Sequence, residues 1–98
     1  MIYHITTKKQ WEAAQAVGFY DHPSLAEEGF IHCSEAGQVA GVLERYFQGQ
    51  QALLKLTIDP GLLEAQLVHE WSGSLQESFP HVYGRINLEA VVAVETLR

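Results

Sequence analysis

From Ala52 onward the chain sets one strand-like segment after another, with turns between them too short for a crossover. Ala52 to Ile58 alternates, with Leu54, Leu56 and Ile58 on one face and Leu53, Lys55 and Thr57 on the other. Asp59-Pro60-Gly61 has turn chemistry, Leu62 to Ala65 reads as one helical turn, and Leu67 to Trp71 as a further strand. Ser72 to Ser78 reads as a loop around Gly73. Val82 to Ile86 is a strand that Gly84 interrupts or ends, Asn87 can cap a short turn, and Val91 to Leu97 is a final strand. A parallel pair needs a connection of about a dozen residues or more, usually a helix. The late strands must therefore pair antiparallel.

The first half of the chain has a different rhythm. Ile2 to Ile5 is a strand whose alternation sets Ile2 and His4 against Tyr3 and Ile5. With Tyr3 and Ile5 toward the core, His4 faces a cleft or solvent. Thr7, with Gln10 three residues on, fits a capping box for a helix running to about Val17 and closed by Gly18. Phe19 to Glu28 is a polar loop broken by Pro23, with one more helical turn at Leu25 to Glu28. Gly29-Phe30-Ile31-His32-Cys33-Ser34 reads as a buried strand running into a second helix from Glu35 to Phe47, with Ser34 as its N-cap. Val39, Val42, Leu43, Tyr46 and Phe47 form that helix's apolar stripe, and Gly37 and Gly41 suggest a close backbone neighbour. The order predicts an α+β fold with a mainly antiparallel sheet, two principal helices and one domain spanning 1–98.

Composition narrows the function classes. A 47% hydrophobic chain can fill a core, and a net charge of −6 with only six Lys and Arg cannot build a broad basic face. Nucleic acid is thus not an expected partner, whereas a small phosphate-bearing ligand needs only amides and one or two arginines. Cys33 is the only cysteine, which rules out an internal disulfide. The opening residues lack a basic region followed by an apolar run, and no stretch approaches the roughly 20 apolar residues of a membrane span. A cytoplasmic protein with no membrane partner is the expectation.

Three of the five histidines share a context: His4, His32 and His81 each follow an apolar, aromatic or proline neighbour and precede a hydroxyl or open backbone. Taken singly, each reads as a packing residue that donates to a carbonyl. Taken together, they point to one pocket suited to a small polar ligand. His22 and His69 lack the context and read as surface or loop residues. Three histidines match a zinc ligand count, but no H-x-H or H-E-x-x-H pairing is present, so the site is read as metal-free. Cys33 points away from His32 by strand alternation and reads as a small buried hydrophobe, not a nucleophile. Glu70, at a strand end before a loop, is a solvated charge or a cleft-rim general base. Trp71 and Tyr83 can stack on a planar ring or simply pack. Arg85 can pair with a phosphate or stand at the surface.

Tyr3-His4-Ile5-Thr6, Gly29-Phe30-Ile31-His32-Cys33-Ser34 and Phe79-Pro80-His81-Val82-Tyr83-Gly84, in this order, resemble the signature of a small bacterial family, domain-of-unknown-function family 952. The resemblance covers essentially the whole chain. In fold, that family resembles the ADP-ribosyltransferases, whose split sheet wraps around NAD. The resemblance implies that Tyr3, His4 and Thr6 contact the nicotinamide ribose, and that His32 and Ser34 line the nicotinamide side. It also implies that Glu70 steadies a ribosyl cation, and that His81 and Tyr83 close the pocket wall. His4, His32 and Glu70 are the catalytic candidates. Tyr3, Thr6, Ser34, His81, Tyr83 and Arg85 are the ligand-binding ones, with NAD as a substrate and not a resident cofactor. Ile5 stands where the enzymes often have glycine, and Arg85 where the family often has proline. Two readings stay open: an ADP-ribosyltransferase-like enzyme, and a module that binds a nucleotide-like ligand without chemistry.

Overall fold

The computed structural model describes residues 1–98. Its strands are β1 (Ile2–Thr7), β2 (Phe19–Tyr20), β3 (Ile31–His32), β4 (Leu53–Ile58), β5 (Gln66–Ser72), β6 (Glu77–Tyr83), β7 (Ile86–Asn87) and β8 (Val91–Thr96). Its helices are α1 (Lys8–Val17), α2 (Pro23–Glu28) and α3 (Val39–Tyr46). The fold is α+β. Two three-stranded sheets, β1-β4-β8 and β3-β6-β5, and a two-stranded β2-β7 hold the strands. Every strand pair is antiparallel, as the short connections require. No helix is long and apolar enough to cross a membrane.

The first sheet is set by β4, whose Leu53, Leu56 and Ile58 are fully buried. β1 pairs along it with Ile2 opposite Ile58 and His4 opposite Leu56. Ile5 is buried as the sequence reading expects, but the opposite face of β1 is buried too. Ile2 belongs to the main core, and His4 and Thr6 are buried on its face, while Tyr3 is half-exposed with Lys55 Nζ 5.2 Å from its ring. A polar face can turn inward here because Tyr20, wholly buried on β2, brings a hydroxyl beneath it. α1 follows the expectation: Thr7 and Gln10 form the capping box, and Gly18 ends the helix in the left-handed region at φ 104°.

The second sheet differs more from its sequence reading. Strand β6 begins five residues earlier than the expected Val82, and only Gly73 to Gln76 remain as the hairpin turn. Pro80 lies inside this central strand, a position prolines avoid. Its carbonyl accepts from the Cys33 amide at 3.0 Å. The proline nitrogen points to the same side and has no hydrogen to donate, so the pairing with Cys33 keeps one of its two backbone bonds.

Ser34 does not cap a helix. It stays extended and exchanges backbone bonds with Tyr3, at 2.8 and 2.7 Å, which ties β3 to the first sheet. Glu35 and Gln38 then cap a 3-10 turn at Ala36–Gln38, and only Val39–Tyr46 is α-helical. No backbone approaches Gly37 or Gly41; a side chain at Gly41 would meet the Arg45 guanidinium. The expected helical turn at Leu62 to Ala65 lies earlier, as a 3-10 turn at Pro60–Leu62 capped by Asp59. Ile31, Cys33 and Val82 from the second sheet join Ile2, Leu56 and Ile58 from the first in one core.

Candidate functional site

β1 enters the site through His4. Its Nδ1 lies 2.6 Å from the His32 carbonyl oxygen, and its Nε2 lies 2.7 Å from the Tyr20 hydroxyl. Burial pushes its pKa down to about 4, so the ring is neutral near pH 7. A carbonyl can only accept, so Nδ1 carries the proton and Nε2 accepts from Tyr20. Burial also raises the Tyr20 phenol, which keeps its proton. Tyr20 Oη lies 2.8 Å from Thr6 Oγ1, and Thr6 reaches Gln10 Oε1 at 3.0 Å.

The loop before α2 brings in His22. Pro23 sits at the first helical position, and His22 caps the helix by accepting the Ser24 amide at Nδ1, 3.0 Å away. Its ring stands edge to face with His4 at 5.4 Å. Burial, then the neighbouring His32, lowers its pKa.

β3 and β6 place His32 and His81 directly opposite each other, with ring centroids 5.2 Å apart. His32 is half-exposed and holds Glu28 Oε2 at 2.5 Å. Phe30 stacks on His81 at 4.0 Å and 14°. His81 Nδ1 lies 2.8 Å from Glu70 Oε1, and the Tyr83 hydroxyl donates to the same oxygen. Those bonds, from Tyr83 first and His81 second, hold the Glu70 carboxyl below its ordinary range. Cys33, one residue past His32, faces the core at 3% exposure, and burial pushes its thiol up to about 12.

These groups meet at an open cavity of about 570 Å³. His4, His22, His32, Ser34 and His81 form one side; Val42, Tyr46 and Phe47 at the end of α3, with Trp71, Leu75 and Phe79, form the apolar remainder. Of the residues singled out from the sequence, His4, Ser34, His32 and His81 lie in this wall. Glu70 and Tyr83 stand one contact behind, on His81. Thr6 lies under β1 with Tyr20, and Tyr3 lies over Lys55. Arg85 is directed elsewhere, its guanidinium 4.1 Å from the Phe19 ring.

Two participants escaped the sequence reading. His22 is in the loop before α2, as the sequence reading allows, but is half-buried in the cavity wall; its signal was the following proline, which marks a helix start. Tyr20 carried no local signal, because a two-residue strand has no period. His69 is exposed, as expected, and pairs with Glu35 at 2.9 Å.

The chain matches one family profile, described as a protein of unknown function (DUF952), over residues 5–94. It is similar to the crystal structure of protein CC0527 from Caulobacter crescentus, with 30% identity, a TM-score of 0.90, and coverage of 99% of this chain and 85% of that one. The solution NMR structure of the same protein gives 30% identity and a TM-score of 0.83, covering 98% of this chain and 83% of that one. No curated protein matches the chain. A profile that spans nearly the whole sequence, with a structural neighbour superimposing over 99% of it, establishes the family: the chain belongs to DUF952.

Proposed function

We propose that this chain binds a small planar ligand, held in the cleft between the histidines and the aromatic wall. One observation carries the reading: four histidines from four separate segments converge with Ser34 on one open cavity of about 570 Å³. Small-molecule sites are mostly apolar concavities of roughly 300–1,000 Å³ with a few aimed polar groups. The packing of α3 supports the same reading. None of its residues is buried, although Val42 and Tyr46 border the cavity. A ring seated beneath the helix would remove apolar surface from water on both sides.

The resemblance to ADP-ribosyltransferases makes NAD or an ADP-ribose compound the first candidate. The wall contains Glu28 and neither lysine nor arginine. A nicotinamide or nucleobase ring suits such a wall, whereas a diphosphate would meet no cation there and would extend toward solvent. Ring binding without chemistry therefore stands ahead of transfer chemistry. The enzymatic reading has one observation in its favour: Glu70 is an ionised carboxylate positioned by Tyr83 and His81 beside the cleft, a group able to steady a developing ribosyl cation.

An NMR shift titration with NAD, ADP-ribose, nicotinamide and a few nucleotides tests the proposal. The expected shifts concentrate at His32, Ser34, His81 and the end of α3. Shifts that are absent, or scattered over the surface, for every compound would overturn it. Release of nicotinamide from NAD would select the enzymatic reading over binding alone.

A further inference from the structure

We propose that β8 is a self-association edge: two copies of this chain pair their β8 strands antiparallel about a two-fold axis at Val94 and join their first sheets into one sheet. The edge lies on the first sheet and no β8 residue borders the histidine cleft, so it stands apart from the small-ligand reading.

β8 is an end strand in the order β1-β4-β8. The Leu97 amide donates to the Leu53 carbonyl at 2.8 Å, and the period of two turns the backbone groups of Glu95 and Ala93 the same way, toward Lys55 and Thr57. The N–H and C=O groups of Val94 and Thr96 therefore point outward, past the last strand of the sheet. Val94 pairs with fully buried Leu56 but is itself 42% exposed, and Val92 is 48% exposed. Val91 packs on the core, whereas Val94 does not. Sheet edges are normally guarded by lysine, proline or a covering segment. At β1, Ser34 bridges to Tyr3, and the β5 edge carries Gln66, His69 and Glu70. β8 reads Val-Val-Ala-Val-Glu-Thr, and its one charge, Glu95, lies 3.7 Å from Lys55 Nζ. Its register shift falls before Ala93 and leaves Ala93 to Thr96 regular.

The occupant is a second copy because the strand complements itself. Identical strands related by a two-fold axis run antiparallel. With Val94 opposite Val94, each gives its N–H to the other's carbonyl, and Glu95 stands opposite Ala93. Moving the axis to Glu95 would set two glutamates directly opposite, a destabilising like-charge pair. The Val94 register also brings the end of the strand bearing Arg98 alongside Glu89 and Ala90 of the second copy. Arg98 donates only to the carbonyls of Phe47 and Gln50, and exposed Glu89 pairs with no cation, so the ends that meet carry opposite charges. Thr96 comes opposite Val92 of the second copy. That places an apolar residue at the edge of a groove of about 410 Å³, which Thr96 lines with Leu54 and with Trp11 of α1. A junction of one strand per copy belongs to the small class of interfaces, under about 1,200 Å², whose association is weak and reversible.

Sedimentation velocity of the full chain, from roughly 10 μM to about 1 mM, spans the range of weak association and should show a reversible monomer–dimer equilibrium. A monomer at every concentration overturns the proposal. Amide hydrogen exchange on the same wild-type samples locates the contact. The Val94 and Thr96 amides should exchange several-fold more slowly in the concentrated sample than in the dilute one, and the β5 amides at one rate in both. A dimer that protects β5 or α3 and leaves Val94 and Thr96 unchanged overturns the assignment to β8. Val94→Lys adds a guarding charge at an exposed position. This variant should melt near the wild-type temperature and associate about tenfold or more weakly. Dimerisation as strong as wild type in the folded variant overturns the proposal, and the exchange measurement decides without it if the variant does not fold.

Discussion

At His4 the surroundings of one ring set both its charge and its contribution to stability. The folded-state pKa is lowered from 6.5 to about 4, chiefly by burial, so between these values the unfolded chain binds a proton that the native ring refuses. The unfolded state holds more protons in that window, and stability falls as pH drops through it. At about 1.36 kcal/mol per pH unit, the loss reaches roughly 3 kcal/mol. His22 is shifted the same way and adds to the slope. His4→Gln should cost roughly 1–3 kcal/mol near pH 7, by weakening the partners of the His32 carbonyl and Tyr20 hydroxyl, and should flatten the acid slope. Denaturant unfolding at several pH values measures both, and an unchanged slope would remove His4 as its source. Cys33 makes a second test at this scale. A thiol raised to about 12 and buried should react with a thiol reagent only as fast as the protein opens. Rapid stoichiometric labelling of the native protein would contradict that.

Among the elements, α1 and α3 owe their stability to different sources. α1 has a complete capping box and a buried Ala14 against the core, and Thr7→Ala should cost about 1 kcal/mol. α3 starts from a 3-10 turn and buries no residue, with Tyr46 60% exposed. Its amide hydrogens should therefore exchange faster than those of β4, whose side chains fill the core. Any compound that seats under α3 should slow its exchange more than that of β8. Equal protection of α3 and β4 in the free protein would show that the helix is held more firmly than its burial indicates.

On the scale of the whole molecule, the fold is two three-stranded sheets sharing one core, and the site lies where they join. β3 makes the joint: Ile31 pairs with Val82, and Ser34 bridges to Tyr3. Ile31 is fully buried in the shared core, so Ile31→Ala should cost about 2–5 kcal/mol. Because both sheets rest on that residue, exchange protection should fall together in β1–β4 and in β5–β6. Loss confined to β5–β6 would mean that the sheets are separate cooperative units.

The fold class, the antiparallel pairing, the capping box of α1 and the inward turn of Cys33 were legible in the sequence, because each follows from local spacing or a strand's period of two. The family, too, was carried by three short motifs. What the sequence left open depends on neighbours far away in the chain. Alternation in β1 put Ile5 inward, and only buried Tyr20 lets the other face, with His4 and Thr6, be buried as well. The same holds for the site. Three histidines were recognisable by context, but the polarity of the buried His4 ring rests on the His32 carbonyl and the Tyr20 hydroxyl, both distant in the chain. A hydrogen bond is made only where the folded chain puts its partner, so the tertiary structure, and not the residue type, decides which nitrogen of the His4 ring holds its proton.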